Sequence, residues 1–178
     1  KEMQDTRESL MEGKGEDLLA KRRSAAPYKN RKVAVHISMD AQQAKFVIRD
    51  NLRHRRDIEF AYLAAIRTAK REILLASSYF FPGIRFRRAL IAAARRGVKV
   101  TLLLQGRVEY RLQHYAQQAL YGQLLQAGVQ IHEYRPSFLH AKVAVFDAAW
   151  STVGSSNIDP YSLLLAREAN VAVIDHGF

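Results

Sequence analysis

"FLHAKVAVFDAAWSTVGSSN", Phe138 to Asn157, is the stretch from which the rest of the chain is best interpreted. It contains two short apolar runs, "KVAVFD" and "WSTVG", which are close enough to pair as a β-hairpin. Because side chains alternate faces along a strand, we expect His140 and Lys142 to project from one face, about 7 Å apart. Ser155 and Asn157 follow the second run, so hairpin pairing can return them to the neighbourhood of His140 and Lys142.

These side chains suit attack on a phosphodiester. An imidazole nitrogen can attack phosphorus to give a covalent phosphohistidine, while the ammonium of Lys142 and the amide of Asn157 stabilise charge on the non-bridging oxygens. The set requires neither a metal nor a cofactor. The imidazole must be held in one tautomer, which calls for a carboxylate behind it, and Glu168 before the last apolar run is the candidate.

The rest of the chain alternates between strand and helix patterns from about Ala44 onward. Helical spacing recurs over about 58–69, 85–96 and 111–127. Strand patterns lie between and around these helices: "KFVIR", "EILLASSYF", "VKVTLLL", "VQIHEY" and "NVAVI". We therefore expect an α/β fold with a mixed, largely parallel β-sheet flanked by helices, to which the hairpin adds antiparallel pairing.

Residues 1–43 are charged and irregular, and we interpret them as a linker or a partly ordered lead-in. The run "VAVHI", Val33 to Ile37, is a possible edge strand within it. The single folded domain is expected over residues 44–178. The chain begins without an initiator methionine and stops just after a buried-strand pattern, so we expect it to be a fragment.

The composition favours an anionic partner. Lys and Arg number 28 against 17 Asp and Glu, a formal charge of +11, which suits nucleic acid, phospholipid headgroups or phosphorylated metabolites without choosing among them. The chain has no cysteine, which excludes a disulfide framework and a thiolate metal site.

Two further features have an ordinary interpretation and a functional one. The arginines of the 85–96 helix are favoured as a solvated face, with attraction to an anionic bilayer as the alternative. Tyr79, Phe80 and Phe81 are favoured as core residues, although the ends of sheet strands are also where α/β proteins bind ligands.

The hairpin carries a motif that resembles one known family. His140, Lys142, Asp147, Gly154, Ser155 and Asn157 reproduce the spacing H-x-K-x4-D-x6-G-S-x-N. This resembles the HKD motif of the phospholipase D superfamily. The segments "SSYFFPG", "ARRGVKVTLLLQG", "AGVQIHEYR" and "EANV" extend the resemblance over about Lys45 to Phe178, to the second half of bacterial cardiolipin synthases of the B type. His140 and Lys142 alone would fit an exposed strand face, but the complete spacing disfavours that.

The resemblance implies two-step phosphatidyl transfer. His140 or its partner from a second motif would be the nucleophile, and the other histidine would protonate the leaving alcohol. It implies that Lys142, Ser155 and Asn157 bind phosphate and that Glu168 steadies a motif histidine. Asp147 belongs to the catalytic motif but would orient structure rather than act as a base.

The resemblance also implies the setting of the reaction. The substrate would be a phospholipid such as phosphatidylglycerol, at the cytoplasmic face of the bacterial membrane, with an anionic membrane surface as partner and no nucleic acid.

Family members build one site from two motifs, yet no other histidine here has a lysine two residues on. We expect the missing N-terminal half to lie outside this chain, with a second copy as the alternative source. The other possibilities are a one-motif homodimeric phosphodiesterase or nuclease, and a non-catalytic lipid-binding half.

Overall fold

The computed structural model describes residues 43–175, which form one seven-stranded sheet with helices. In chain order the elements are β1 Gln43–Arg49, α1 Asp57–Thr68, β2 Glu72–Ser77, α2 Ile84–Arg95, β3 Lys99–Gln105, α3 Arg111–Ala119, α4 Tyr121–Gln126, β4 Gln130–Tyr134, β5 Lys142–Phe146, β6 Trp150–Gly154, α5 Pro160–Leu164 and β7 Glu168–Ile174. The possible strand "VAVHI" and all of the lead-in except Gln43 lie outside the described residues.

The sheet has the strand order β1-β7-β6-β5-β2-β3-β4. β2, β3 and β4 pair in parallel, because helices lie in the connections between them and supply the length that a parallel crossover needs. The other four pairings are antiparallel. The predicted mixed α/β sheet is confirmed, but parallel pairing is confined to three strands and is less extensive than expected. A tight turn joins β5 to β6, and β1 pairs antiparallel with the distant β7.

The hydrophobic core lies between the sheet and the first two helices. Tyr62 of α1 packs against Phe86 of α2 with ring centroids 5.7 Å apart, and against Trp150 at 6.3 Å. The inner face of α2 is apolar, and its residues Phe86, Leu90 and Ala93 are fully buried. Arg96 has a structural role, because its guanidinium donates to the carbonyl of Ile66 at 2.9 Å near the end of α1.

The predicted helix over 111–127 is instead two helices that break at Leu120. The buried Leu120 donates its N–H to the Gln117 carbonyl at 3.1 Å, which tightens the turn and redirects the chain. None of the helices between residues 43 and 175 is long and apolar enough to cross a bilayer.

The antiparallel strands bring distant segments to the same edge of the sheet. β5 runs opposite to its neighbours β2 and β6, so its first residue lies beside their last ones. We call this end of the strands the site edge, meaning a row of strand ends and not an outermost strand. It is formed by Ser77, Gln105, Lys142, Gly154 and Glu168, each the first or last residue of its strand. The opposite edge, where β5 turns into β6, is called the turn edge.

Candidate active site

His140 and Lys142 meet at the site edge. The Lys142 Nζ lies 3.4 Å from the His140 Nε2. An ammonium can only donate, so Nε2 accepts in this contact whenever Lys142 is protonated, which is the tautomer with the ring proton on Nδ1. The lone pair of Nε2 therefore points toward the Lys142 ammonium. A nitrogen with a free lone pair beside a fixed cation is suited to attack on an anionic phosphodiester.

His140 lies just before β5 rather than on it, and neighbouring strands hold its loop. The N–H of Leu139 donates to the side-chain carbonyl of Gln105 at 2.9 Å, and the N–H of Ser78 donates to the Ala141 carbonyl at 2.9 Å. The residues on both sides of His140 are thus fixed to the ends of β2 and β3. The imidazole itself remains exposed to solvent.

Lys142 has a second contact that the sequence motif did not indicate. Its Nζ lies 3.4 Å from the hydroxyl of Ser78, a residue that is almost fully buried. Partial burial lowers the pKa of Lys142, and the negative charges of Glu168 and Asp159 oppose that shift. Burial therefore favours the neutral amine of Lys142, whereas the two carboxylates favour its ammonium form.

Ser155 and Glu168 form a pair across the β6–β7 end of the site edge. The Ser155 hydroxyl donates to the Glu168 carboxylate and accepts from the N–H of Ala169 at 3.0 Å. Within residues 43–175 the carboxylate has no hydrogen bond to His140, so the structure does not bring Glu168 to the imidazole as expected. The reason is that Glu168 opens β7, directly beside the end of β6, whereas His140 lies beyond β5.

Gly154 allows this approach of β6 to β7. A Cβ at this position would lie 2.3 Å from the side-chain oxygen of Asn170 and 2.4 Å from the Ala169 carbonyl. No side chain fits there without displacing β7, and with it Glu168. The glycine of the motif is therefore explained by close strand contact.

Asn157 follows Ser155 at the same edge. Its side-chain oxygen is buried and has no hydrogen-bond partner among the described residues. Buried polar atoms are normally satisfied, so this unpaired acceptor oxygen is consistent with a donor, such as a hydroxyl, supplied by a ligand.

Asp147 lies at the turn edge, away from the other motif residues. Five residues separate it from Lys142, which is about 16 Å along a strand. Its carboxylate accepts from the backbone N–H groups of Lys70, Arg71 and Glu72 at 2.8, 2.7 and 2.9 Å. Burial raises the pKa of Asp147, but these three donors and the Arg71 charge outweigh it, so the pKa lies below its usual value. A catalytic role for Asp147 conflicts with this position, whereas an orienting role agrees with it.

Arg49 is a residue that the sequence interpretation missed. It ends β1 opposite Glu168, is only 2% exposed, and its guanidinium donates to the carbonyls of Leu164 and Ala166. These contacts fix the segment that leads into Glu168. No local pattern marks this role of Arg49, because the two carbonyls that it contacts lie more than a hundred residues further along the chain.

The fold and the His140–Lys142 pair define a phospholipase D-like domain. The structure is similar to Nuc from Salmonella typhimurium, a phospholipase D family member, with a TM-score of 0.63, 22% identity, and coverage of 76% of this chain and 84% of that one. At this identity the likeness shows the fold.

The chain belongs to the family described as cardiolipin synthase, PLD-like domain, whose family model matches residues 62–178. It is 49% identical over 136 residues to cardiolipin synthase B of Escherichia coli K12, which covers 76% of this chain and 33% of that protein. It is 41% identical over 113 residues to a cardiolipin synthase of Geobacillus thermodenitrificans, covering 64% of this chain and 22% of that protein. The chain thus spans a third or less of the length of these curated relatives.

Proposed function

We propose that this chain supplies one of the two half-sites of a phosphatidyltransferase of the cardiolipin synthase type. The observation that carries the proposal is the 3.4 Å contact between His140 Nε2 and Lys142 Nζ at the site edge. The names of the relatives and the family membership support phospholipids as the substrate class.

The reaction proceeds in two displacements at one phosphorus. A histidine Nε2 attacks the phosphodiester, a P–N bond forms, and the P–O bond to the leaving alcohol breaks as the second histidine gives that alcohol its proton. The same second histidine then deprotonates the hydroxyl of the acceptor lipid. The acceptor oxygen attacks phosphorus and the P–N bond breaks. His140 is one of these two histidines.

Lys142 supplies the charge for both displacements. Its ammonium is near enough to His140 to meet a phosphate oxygen at the moment of attack. From the end of β6 the NH₂ of Asn157 donates to a phosphate oxygen, and the Ser155 hydroxyl does so when it turns its proton from the Glu168 carboxylate to the substrate. Glu168 also acts on Lys142, whose charged form it favours.

The second half-site comes from another HKD motif. This sequence holds a single histidine with a lysine two residues on. The matched region is a third of cardiolipin synthase B of Escherichia coli K12 and 22% of the Geobacillus thermodenitrificans protein, which favours a motif elsewhere in one longer protein over a second copy of this chain. The formal charge of +11 supports action at an anionic membrane surface, which we place at the cytoplasmic face of the bacterial membrane.

The test uses the enzyme that contains both half-sites, with His140→Ala compared on two donors. One donor is phosphatidylglycerol, and the other is a phosphatidyl ester of p-nitrophenol, whose leaving group needs no proton. On the p-nitrophenyl donor the first displacement is followed as the initial burst of p-nitrophenolate, because the second displacement needs the second histidine with either donor. Loss of turnover on phosphatidylglycerol together with loss of the burst assigns His140 as the nucleophile. Loss of turnover on phosphatidylglycerol with the burst retained assigns it as the acid. Undiminished turnover on phosphatidylglycerol contradicts the proposal, and phosphatidic acid in place of cardiolipin as the product would mean that water is the acceptor.

A further inference from the structure

A cavity of about 290 Å³ opens beside the candidate site, at the ends of the parallel strands β2 and β3. The segment after β2, the helix α3 with its lead-in, and the start of α5 form its walls. Ligands of open α/β sheets bind in crevices beyond the carboxyl ends of parallel strands. The position of the cavity therefore matches a place where such folds bind small molecules.

Two residues of the cavity wall also act on Lys142 of the proposed phosphate site. Ser78 lines it and also contacts the Lys142 Nζ at 3.4 Å. Asp159 lines it as well, and its charge acts on the same lysine. A phosphodiester held at Lys142 would therefore lie beside the wall of this cavity.

The inner surface of the cavity is mostly apolar. Several of its polar side chains are already engaged with the protein. The Tyr79 hydroxyl donates to Glu109 at 2.7 Å, and burial together with the Glu109 carboxylate raises the pKa of Tyr79 to about 12, so the phenol stays protonated and bonded. The Gln117 side chain accepts from the Phe80 N–H and donates to the Tyr121 hydroxyl. These groups therefore have little capacity left to recognise a polar headgroup.

The rim of the cavity exposes large apolar side chains. Leu112 is 83% exposed, Tyr161 68% and Tyr110 57%, and all three line the cavity. Arg107 also lines the cavity, with its guanidinium bonded to the carbonyls of Arg135 and Pro136, and the exposed Arg111 follows Tyr110 in the chain. Aromatic and aliphatic groups next to arginines are typical of surfaces that meet the interface of an anionic lipid layer.

We propose that the cavity binds the first part of one acyl chain of the phospholipid whose phosphodiester lies at Lys142. The ligand class rests on the proposed function. Three observations favour an acyl chain: the wall of the cavity is mostly apolar, Ser78 of that wall contacts Lys142, and the rim exposes apolar side chains. A glycerol headgroup agrees less well, because its hydroxyls would need free hydrogen-bonding groups.

The test measures binding of two water-soluble phosphatidylglycerols to the purified chain by calorimetry, both below their micelle-forming concentrations. Dioctanoyl lipid has two more methylene groups per chain than dihexanoyl lipid. If one chain enters the cavity, the longer lipid binds about tenfold more tightly. Ala116→Phe fills the cavity from α3 and is expected to abolish this preference. Ala119→Phe, on the same helix but outside the cavity, is the matched control and is expected to retain it.

Leu112→Asn provides a second variant should Ala116→Phe fail to fold, because Leu112 is exposed and its replacement leaves the core intact. It is expected to weaken the preference. No binding of either lipid, no preference in the unsubstituted chain, or an equal preference in all variants would overturn the acyl-chain proposal. The acyl site and the proposed function can fail separately. If Ala116→Phe removes the preference for the longer lipid but the enzyme with both half-sites transfers no phosphatidyl group, the acyl site is supported and the proposed function is refuted.

Discussion

The β5–β6 hairpin has charged side chains at both of its ends, and the two ends differ in how those charges are held. At the turn edge, the Asp147 carboxylate accepts from three backbone N–H groups at 2.7 to 2.9 Å. At the site edge, the Lys142 ammonium has two long contacts of 3.4 Å, to Ser78 and His140. Fixed backbone donors leave no capacity for a ligand, whereas long side-chain contacts are readily exchanged for a phosphate oxygen.

This difference shows that one sequence motif serves two separate purposes. Asp147 adopts a positive φ of 55° and Ala148 one of 52°, the values of a primed hairpin turn. The bonds of Asp147 to residues 70–72 attach that turn to the start of β2. The turn edge therefore maintains the pairing that places His140, Lys142 and Ser155 together at the other end.

The largest expected effect comes from removing the charge at the site edge. Lys142→Met is expected to lower turnover of phosphatidylglycerol by about 10²- to 10³-fold in an enzyme with both half-sites, because the developing phosphate charge loses its nearest cation. The free energy of unfolding should change little. Lys99→Met, at an exposed strand start on the turn edge, is the control, and equal losses in both variants would contradict the division of roles.

The next effect concerns Arg49, which lies at the site edge but has a structural role. Arg49→Met leaves the carbonyls of Leu164 and Ala166 without their charged donor, so we expect a loss of about 2–3 kcal/mol in the free energy of unfolding, measured with urea. Turnover per folded molecule should also fall, since the segment before Glu168 is released. Arg53→Met at an exposed position should do neither.

A smaller effect is expected at the turn edge, and it depends on pH. Asp147→Asn keeps the side-chain shape and tolerates the positive φ, but it loses the charge that three N–H groups bind. We expect about 1–2 kcal/mol of destabilisation at pH 7. Because the pKa of Asp147 is lowered in the folded state, its contribution is complete above about pH 4 and is lost as the pH falls through the folded-state pKa. Urea unfolding at a series of pH values should show the two proteins converging in acid.

The smallest effect is expected for Glu168. Its charge raises the pKa of Lys142, so Glu168→Gln should let Lys142 lose its proton at lower pH. Binding of inorganic phosphate to the chain, followed by calorimetry, should therefore decline earlier as the pH is raised, with a change of no more than about fivefold at any one pH. An unchanged pH profile would show that the two side chains are not coupled.

The local part of the site could be predicted from sequence, and the long-range part could not. His140, Lys142, Ser155 and Asn157 lie within one hairpin, and strand alternation with a tight turn is enough to bring them to one edge. The contacts of Ser78 and Arg49 depend on strands that are distant in sequence, and a buried serine or arginine has no periodicity that marks it.

Dependence on contacts between distant segments also explains two of the differences found in the fold and site. The extent of parallel pairing depends on β1 joining β7 from the far end of the described chain, which no local pattern encodes. Glu168 is a conspicuous carboxylate, but the pairing of β7 with β6 places it beside the end of β6, where it accepts from Ser155 rather than from His140. The lead-in over residues 1–43 and the domain boundary at residue 44 remain predictions.

The measurement that tests this account most directly is turnover of phosphatidylglycerol per folded molecule, in His140→Ala and Asp147→Asn side by side, in an enzyme with both half-sites. The account predicts that His140→Ala loses about 10³-fold or more while its stability is retained. It also predicts that Asp147→Asn keeps turnover close to that of the unsubstituted enzyme while its stability falls. Full turnover in His140→Ala, or an equal loss of turnover in both variants, would contradict it.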